Sequence, residues 1–536
     1  LDVARVSEPS VPAAPIEAAS GFHPSLRNSS LVLSFLAICK LLIQFAGINH
    51  YGFFRDELYY MACGEHLAWG YVDQPPLIAL VAWAARHLGF NSPFGTSLFA
   101  TRLFPALAGA AIVYCTGRLA RELGGRALAE FLAALTMLLA PAYLAFDSFL
   151  SMNAFEPLFW LACAWFAIRM VKGGDPRWWL AFGVISGVGL ENKHTMLVFG
   201  FALVVGLAIS GHARMLGSKW IWIAGLLAFA LFLPNLLWEA HHGWPQIEVV
   251  RNGQAFKIAH ISIWQFIFEQ VLFMQPLALP IWVAGLGWYF FSAAGKPFRF
   301  LGWAYLLVMA IFIAFDGKSY YALPVYPVLV AAGGVAFEGY FAVRAQRRWQ
   351  AVGYAASMIV VGAFTLPFGV PLLPVNTFIR YSNLLPYAKS VKTERDEPTE
   401  LPQLYADMFG WDNMARHVAR VYKGLPPGER ENCAILAGNY GEAGAIDMYG
   451  PALGLPKAIS GHNSYFDWGP RQYTGECVIV FGERSDEFKE LFAEAKFAGT
   501  ITNSYSAVAE RNVHVWVCRR SVAPLAELWP KFKMII

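Results

Sequence analysis

Residues 31–77 read LVLSFLAICKLLIQFAGINHYGFFRDELYYMACGEHLAWGYVDQPPL. An apolar run over 31–48 approaches the roughly 20 residues that cross a bilayer. It stops at a loop dense in charge and aromatic rings. Arg55, Asp56 and Glu57 stand side by side there, among Tyr51, Phe53, Phe54, Tyr59, Tyr60, Trp69 and Tyr71. Carboxylates at a membrane surface, beside rings that can line a sugar site, suit activation of an acceptor hydroxyl. The same residues also fit an interfacial aromatic belt with a solvated charge cluster. No small-residue cleavage site separates the run from Tyr51, so an uncleaved membrane helix is expected rather than a signal peptide.

The rest of the chain repeats this pattern. Of its 536 residues, 57% are hydrophobic, 15% aromatic and only 15% charged, against about 25% charge in a soluble domain. The mean hydropathy is +0.43. This excludes a fibre, a disordered chain or a disulfide-stapled mini-protein, and points to a polytopic membrane protein. The net charge of +4 is too small to suggest a nucleic-acid partner. Seven cysteines without C-x-x-C spacing argue against a zinc site or a disulfide framework. Residues 1–30, rich in Pro, Ala and Ser, read as a disordered cytoplasmic tail.

Further apolar runs near 97–117, 127–146, 154–171, 178–192, 195–211, 219–238, 262–291, 299–315, 321–341 and 350–372 bring the expected helices to about eleven. The shorter stretch 77–89 reads as an interfacial or re-entrant helix. The loops alternate in charge. Those at 118–126, 169–177, 212–219, 292–299 and 344–348 carry a total of +11, and those at 49–76, 147–156, 191–194, 238–260 and 316–318 a total of −5. The positive-inside rule puts the first set and the N-terminus in the cytoplasm. An odd helix count then places 373–536 on the opposite side, the periplasm of a bacterium. That segment has no spanning run. ENCAILAG (431–438), ECVIVFG (476–482) and NVHVWVCRR (512–520) read as strands of a soluble α/β domain.

RDELYY (55–60) followed by GYVDQPPL (70–77) resembles the first periplasmic loop of bacterial members of the protein-mannosyltransferase-like superfamily, to which lipid A aminoarabinose and galacturonic acid transferases belong. GLENKHTM (189–196), LPNLLWEAHHGWP (233–245) and DGKSYYALPVYPVL (316–329) extend the likeness over roughly 31–345, and GNYGEAGAIDMYG (438–450) resembles a C-terminal extension of some bacterial members. The resemblance implies a GT-C fold over 31–372 and a periplasmic domain over 373–536. It implies an inverting glycosyltransferase that moves a sugar from a polyprenyl-phosphate carrier to lipopolysaccharide or lipid A, another glycan or glycolipid, or a protein. Asp56 then stands for the family's first-loop carboxylate and serves as general base, with Glu57 orienting it, the acceptor or a metal. A polyprenyl phosphate is a weakly basic leaving group, so charge neutralisation matters more than a second acid. Lys193 and Lys318 are the expected phosphate ligands, with Arg102, Tyr320 and Tyr321 beside them; Arg102 also fits a helix-end charge, and the two tyrosines fit interface anchors. Arg55, Tyr59, His241 and His242 are possible donor or acceptor contacts.

Some segments leave alternatives open. FDSFLSMNAFEPLFW (146–160) offers Glu156 or Asp147 as a second acid, with Asn153 where the family often has one. Asp147 equally fits a helix-end charge. His241 and His242 are adjacent, so on a helix they diverge by about 100°, and no third ligand accompanies them. No cofactor is required on this reading, and a divalent metal is not supported. Gly183, Gly187 and Gly189 read as close helix packing. GNYGEAG (438–444) reads as a tight strand-to-helix turn more readily than as a phosphate loop, with Tyr465 and Trp468 near enough in sequence to help hold an acceptor glycan. The competing function is a flippase or transporter of lipid-linked sugars. Transporters often show internal repeats and mid-helix ionisable residues; no repeat is present here, and the charges collect in one set of loops.

Overall fold

The computed structural model describes residues 26–89, 91–92, 95–343, 347–385, 395 and 399–536. Most of the expected tail lies outside them, and its last five residues belong to the first helix, Leu26–Gly47. The protein is a polytopic, mainly helical membrane protein with a C-terminal α/β domain. Among the described residues eight helices are long and apolar enough to cross a membrane. A ninth span is available if Ile263–Phe273 and Pro276–Phe291, bent by 94° at their junction, count as one. The other predicted runs are helical but shorter. Run 127–146 breaks at Pro141 into Ala127–Leu139 and Pro141–Phe146, and run 178–192 is the 15-residue helix Trp178–Asn192. Proline lacks the N–H that would continue a helix, which is why it opens the second piece. The stretch 77–89 is the short helix Leu77–His87.

A two-residue hairpin, β1 (Asn91–Ser92) with β2 (Gly95–Thr96), precedes the second long helix. The soluble domain holds a five-stranded sheet of β3 (Cys433–Ala437), β4 (Ile459–Ser460), β5 (Cys477–Phe481), β6 (Phe492–Thr502) and β7 (Asn512–Ser521), in the order β4-β3-β5-β7-β6. The first three are parallel; β7 runs antiparallel to both β5 and β6. Every residue of β3 and of β5 is buried, as their continuous apolar runs require of central parallel strands. The edge strand β6 was not expected. Its sequence, FAEAKFAGTIT, is poor in β-branched residues and mostly solvent-facing.

Cys433 and Cys477 occupy opposed positions of β3 and β5 and form a disulfide. The absence of a disulfide framework expected from cysteine spacing is thereby corrected. A separation of 44 residues carries no pairing signal until the sheet register brings the two together.

The first loop and the soluble domain share one hydrophobic core. Leu58, Tyr59, Tyr60 and Met61 pack with Trp411, Met414, Ile446 and Ile479. The loop 49–76 and the α/β domain therefore sit on one side of the helical body.

Candidate active site

The first loop is itself a helix, Arg55–Glu65. Asp56 and Glu57 lie in its first turn, where the helix dipole favours negative charge. Phe54, at the cap, has no side-chain oxygen. Glu57 reaches back and accepts from the Phe54 N–H at 2.8 Å, one half of a capping box. The two acids then diverge. Asp56 is 31% exposed, and Glu57 is wholly buried.

Glu57 is fully occupied. Its carboxylate accepts from Arg102 Nε at 3.1 Å and Nη2 at 3.0 Å, and from the Leu150 N–H at 2.8 Å. Arg102 spends its remaining donors on the carbonyls of Ile48 (3.1 Å), His50 (3.4 Å) and Gly52 (2.7 Å). This departs from the sequence expectation. Arg102 does not present its charge to a phosphate, because burial leaves it no way to bond both Glu57 and a ligand. It ties the ends of two membrane helices to the first-loop helix, and Glu57 adds the loop at Leu150.

Asp56 opens on a chamber of about 1330 Å³, larger than the few hundred Å³ that a single small ligand needs. Arg55, Tyr59, Asp73, Lys193, Lys318, Tyr320 and Tyr321 line the same chamber. Towards the helical body the wall turns apolar, with Val198, Leu272, Phe273, Ile311 and Phe312.

Lys193 ends the helix Trp178–Asn192, a position where a cation complements the helix dipole. Its ammonium donates to Asn153 Oδ1 at 2.8 Å and Glu156 Oε2 at 3.0 Å, and sits 4.3 Å from the Tyr321 ring centroid. Glu156 also accepts from Thr195. It is buried, so its geometry is that of a carboxylate holding Lys193 in place, not that of a second acid facing substrate. Asn153, at the position that departs from the family pattern, lies on the chamber wall as the lysine's other partner. Lys318 leads into the 3₁₀ turn Ser319–Val325, which also carries Tyr320 and Tyr321. Its ammonium lies 5.9 Å from the Tyr320 ring centroid.

Asp147 is placed elsewhere. It is buried and paired with Lys40 at 2.7 Å, a lysine inside the first membrane helix. The pair fits because residue 109 is glycine: a Cβ there would meet Asp147 Oδ2 at 2.2 Å. His241 and His242 are exposed and line no part of the chamber. His242 stacks on Trp238 at 3.9 Å and donates through Nδ1 to its carbonyl at 2.8 Å. Among the described residues, no three His, Cys, Asp or Glu side chains converge as metal ligands do.

Asp73 and Tyr440 are among the chamber residues that the sequence did not single out. Asp73 lies inside the quoted GYVDQPPL run. Its carboxylate accepts from Tyr59 Oη at 2.7 Å and Asn463 Nδ2 at 3.1 Å. Burial pushes it up to about 6, against the pull of the Tyr59 bond. Tyr440, in GNYGEAG, donates to Asp56 Oδ1 at 2.9 Å. The glycines of that motif are not a phosphate cradle. A Cβ on Gly441 would meet Arg55 Cγ at 2.6 Å and one on Gly444 would meet Leu58 at 2.9 Å, so both admit the first-loop helix. Asn439 caps the helix Tyr440–Leu453, and Glu442 completes the box. Gly183 and Gly187 do the same for membrane helices: a Cβ would lie 2.5 Å from Ala224 O or 2.8 Å from Leu231. Tyr465 is buried and donates to Asp447 at 2.9 Å, while Trp468 stacks on His66 at 4.4 Å.

A family model described as dolichyl-phosphate-mannose-protein mannosyltransferase matches residues 73–238, less than half of the chain. No curated protein matches it. Among solved structures, ArnT from Cupriavidus metallidurans in the apo state is similar at 15% identity, with a TM-score of 0.57 over 92% of this chain and 98% of that one. The same protein bound to undecaprenyl phosphate gives 15% identity and a TM-score of 0.58 over 90% and 97%. The chain has the fold of ArnT along nearly its whole length, a GT-C fold with the soluble domain included.

Proposed function

We propose that the protein is an inverting glycosyltransferase that takes a sugar from a polyprenyl-phosphate carrier and gives it to an acceptor outside the cytoplasm. The observation that carries this reading is one chamber lined at once by Asp56, by Lys193 and Lys318, and by an apolar wall. A lipid-linked donor needs all three: a wall for the prenyl chain, cations for the phosphate and a carboxylate for the attacking hydroxyl. The match to the mannosyltransferase family and the fold shared with ArnT, which binds undecaprenyl phosphate, support it.

In the reaction, the acceptor oxygen forms a bond to the anomeric carbon as the bond from that carbon to the phosphate oxygen breaks. The electron pair leaves with the polyprenyl phosphate, and the acceptor proton passes to Asp56. Attack opposite the phosphate inverts the anomeric carbon. Lys193, held by Glu156 and Asn153, and Lys318 neutralise the growing charge on the phosphate. They supply the charge that a divalent metal provides in other phosphate chemistry, so turnover is expected to survive a chelator.

The protein is placed in a bacterial inner membrane with its N-terminus cytoplasmic and its soluble domain periplasmic. The loop-charge asymmetry and the disulfide, which persists in oxidising compartments, support this. Lipopolysaccharide or lipid A, another glycan or glycolipid, or a protein are the candidate acceptors. The test uses purified protein in lipid, radiolabelled polyprenyl-phosphate sugars and a crude envelope fraction. Transfer is expected for the wild type and should fall at least about a hundredfold in folded Asp56→Asn and Lys193→Ala. Transfer that survives Asp56→Asn overturns the assignment of the base. Movement of lipid-linked sugar across the bilayer without transfer overturns the enzyme.

A further inference from the structure

Among the hydrogen bonds that join the soluble domain to the first loop, those of Tyr440, Asn463 and Ser464 end on side chains of the chamber wall. Tyr440 Oη donates to Asp56 Oδ1 at 2.9 Å. Asn463 Nδ2 donates to Asp73 Oδ2 at 3.1 Å. Ser464 meets the Tyr59 hydroxyl at 2.7 Å, and that hydroxyl in turn donates to Asp73. The soluble domain is therefore not a separate module tethered to the chamber.

Of the three, the Tyr440 contact reaches the residue assigned as base. Its geometry is fixed from several sides. The capping box of Asn439 and Glu442 sets where the helix begins, and Tyr440 is its first residue. Its ring packs against Tyr59 at 4.8 Å and His462 at 4.6 Å, with the Arg55 guanidinium 5.7 Å from its centroid. Gly441 and Gly444 bring the helix close enough for the phenol to reach, since a side chain at either would collide with Arg55 or Leu58. The phenol is thus held, and it takes one carboxylate oxygen of Asp56, leaving the other to the acceptor hydroxyl.

We infer that the soluble domain is part of the reaction centre, and that Tyr440 is the positioning residue through which it orients Asp56. This rests on Asp56 acting as base. A donor held on one oxygen fixes the rotation of the carboxylate, so the other oxygen meets the acceptor hydroxyl in one orientation. A bond to a charged group is stronger than one between neutral groups, so its loss should be felt in turnover.

The test is the steady-state kinetics of the full-length protein with Tyr440→Phe, run beside wild type and Asp56→Asn, each checked for folding by thermal unfolding. Folded Tyr440→Phe is expected to lose about tenfold in kcat with little change in donor KM. If Tyr440→Phe does not fold, difluorotyrosine at 440 keeps the shape and changes the donor strength of the phenol, and kcat should then change with donor KM unmoved. A purely structural role would lower the yield of folded protein and leave kcat unchanged in what folds. That result, with Asp56→Asn inactive, overturns the inference and leaves the base in place. An active Asp56→Asn overturns both.

Discussion

Replacing Arg102 by methionine separates two roles that its sequence position allowed. As a phosphate ligand it would raise donor KM and leave the fold intact. The structure assigns it the opposite behaviour. Its guanidinium holds both oxygens of Glu57 and three backbone carbonyls, all in a site from which water is excluded. Arg102→Met leaves the Glu57 carboxylate with only the Phe54 and Leu150 N–H groups. Removing one partner of a buried ion pair costs about 3–5 kcal/mol. At roughly 2–4 °C per kcal/mol for domains of 150–250 residues, the midpoint should fall by at least about 6 °C. Arg102→Lys should recover little, since an ammonium cannot span five acceptors. The double variant Arg102→Met with Glu57→Gln should regain part of the loss, because a neutral amide no longer needs the counter-charge. Thermal unfolding of the purified protein in detergent measures all three against the wild type. An unchanged midpoint in Arg102→Met, with donor KM raised, would refute this reasoning and restore Arg102 to the phosphate.

Two further outcomes follow from the geometry. Burial raises Asp73 to about 6 from an ordinary 3.8, so the folded protein holds a proton that the unfolded chain has released; this contribution is whole below about pH 4 and is lost as pH rises through about 6. Asp73→Asn should therefore gain stability on the wild type across that window, read from unfolding midpoints at pH 4, 5, 6 and 7, and a constant offset would count against it. Reduction of Cys433–Cys477, or Cys477→Ser, should cost up to about 4 kcal/mol on a chain-entropy estimate for a loop of this length. Proteolysis of the soluble domain with and without reductant checks it, and equal rates in the two would exclude any such contribution.

The membrane half was largely legible from sequence because its signals are local. Apolar runs mark helices, and RDELYY stands beside the run it terminates. The chamber lining at Asp56, Lys193, Lys318, Tyr320 and Tyr321 follows from loops that lie on one face. What sequence did not show depends on distant partners. Arg102 looks like a free cation until Glu57, 45 positions earlier, takes its donors. Asp147 looks like a helix-end charge or an acid until Lys40, inside an apolar run, is found against it. That lysine was itself a readable signal, since a charge at membrane depth demands a partner. GNYGEAG is the strand-to-helix turn that its sequence suggests, but the use of its glycines was not legible. Glycines at a strand-to-helix turn suit a phosphate, but here they make room for another helix, and the spacing alone is the same in both cases.

The contact between Tyr440 and Asp56 joins residues 384 positions apart. During synthesis Asp56 is made early and Tyr440 late, so the first loop spends most of translation without the residue that completes it. The shared core of Leu58 and Tyr59 with Met414 and Ile446 waits equally long. A chain that has inserted its helices but not yet folded the soluble domain carries an open, unfinished chamber. On the proposed function, sugar transfer thus reaches its full rate only when that domain has been delivered to the far side of the membrane and folded there. Quality control of the enzyme and switching-on of its activity become one event.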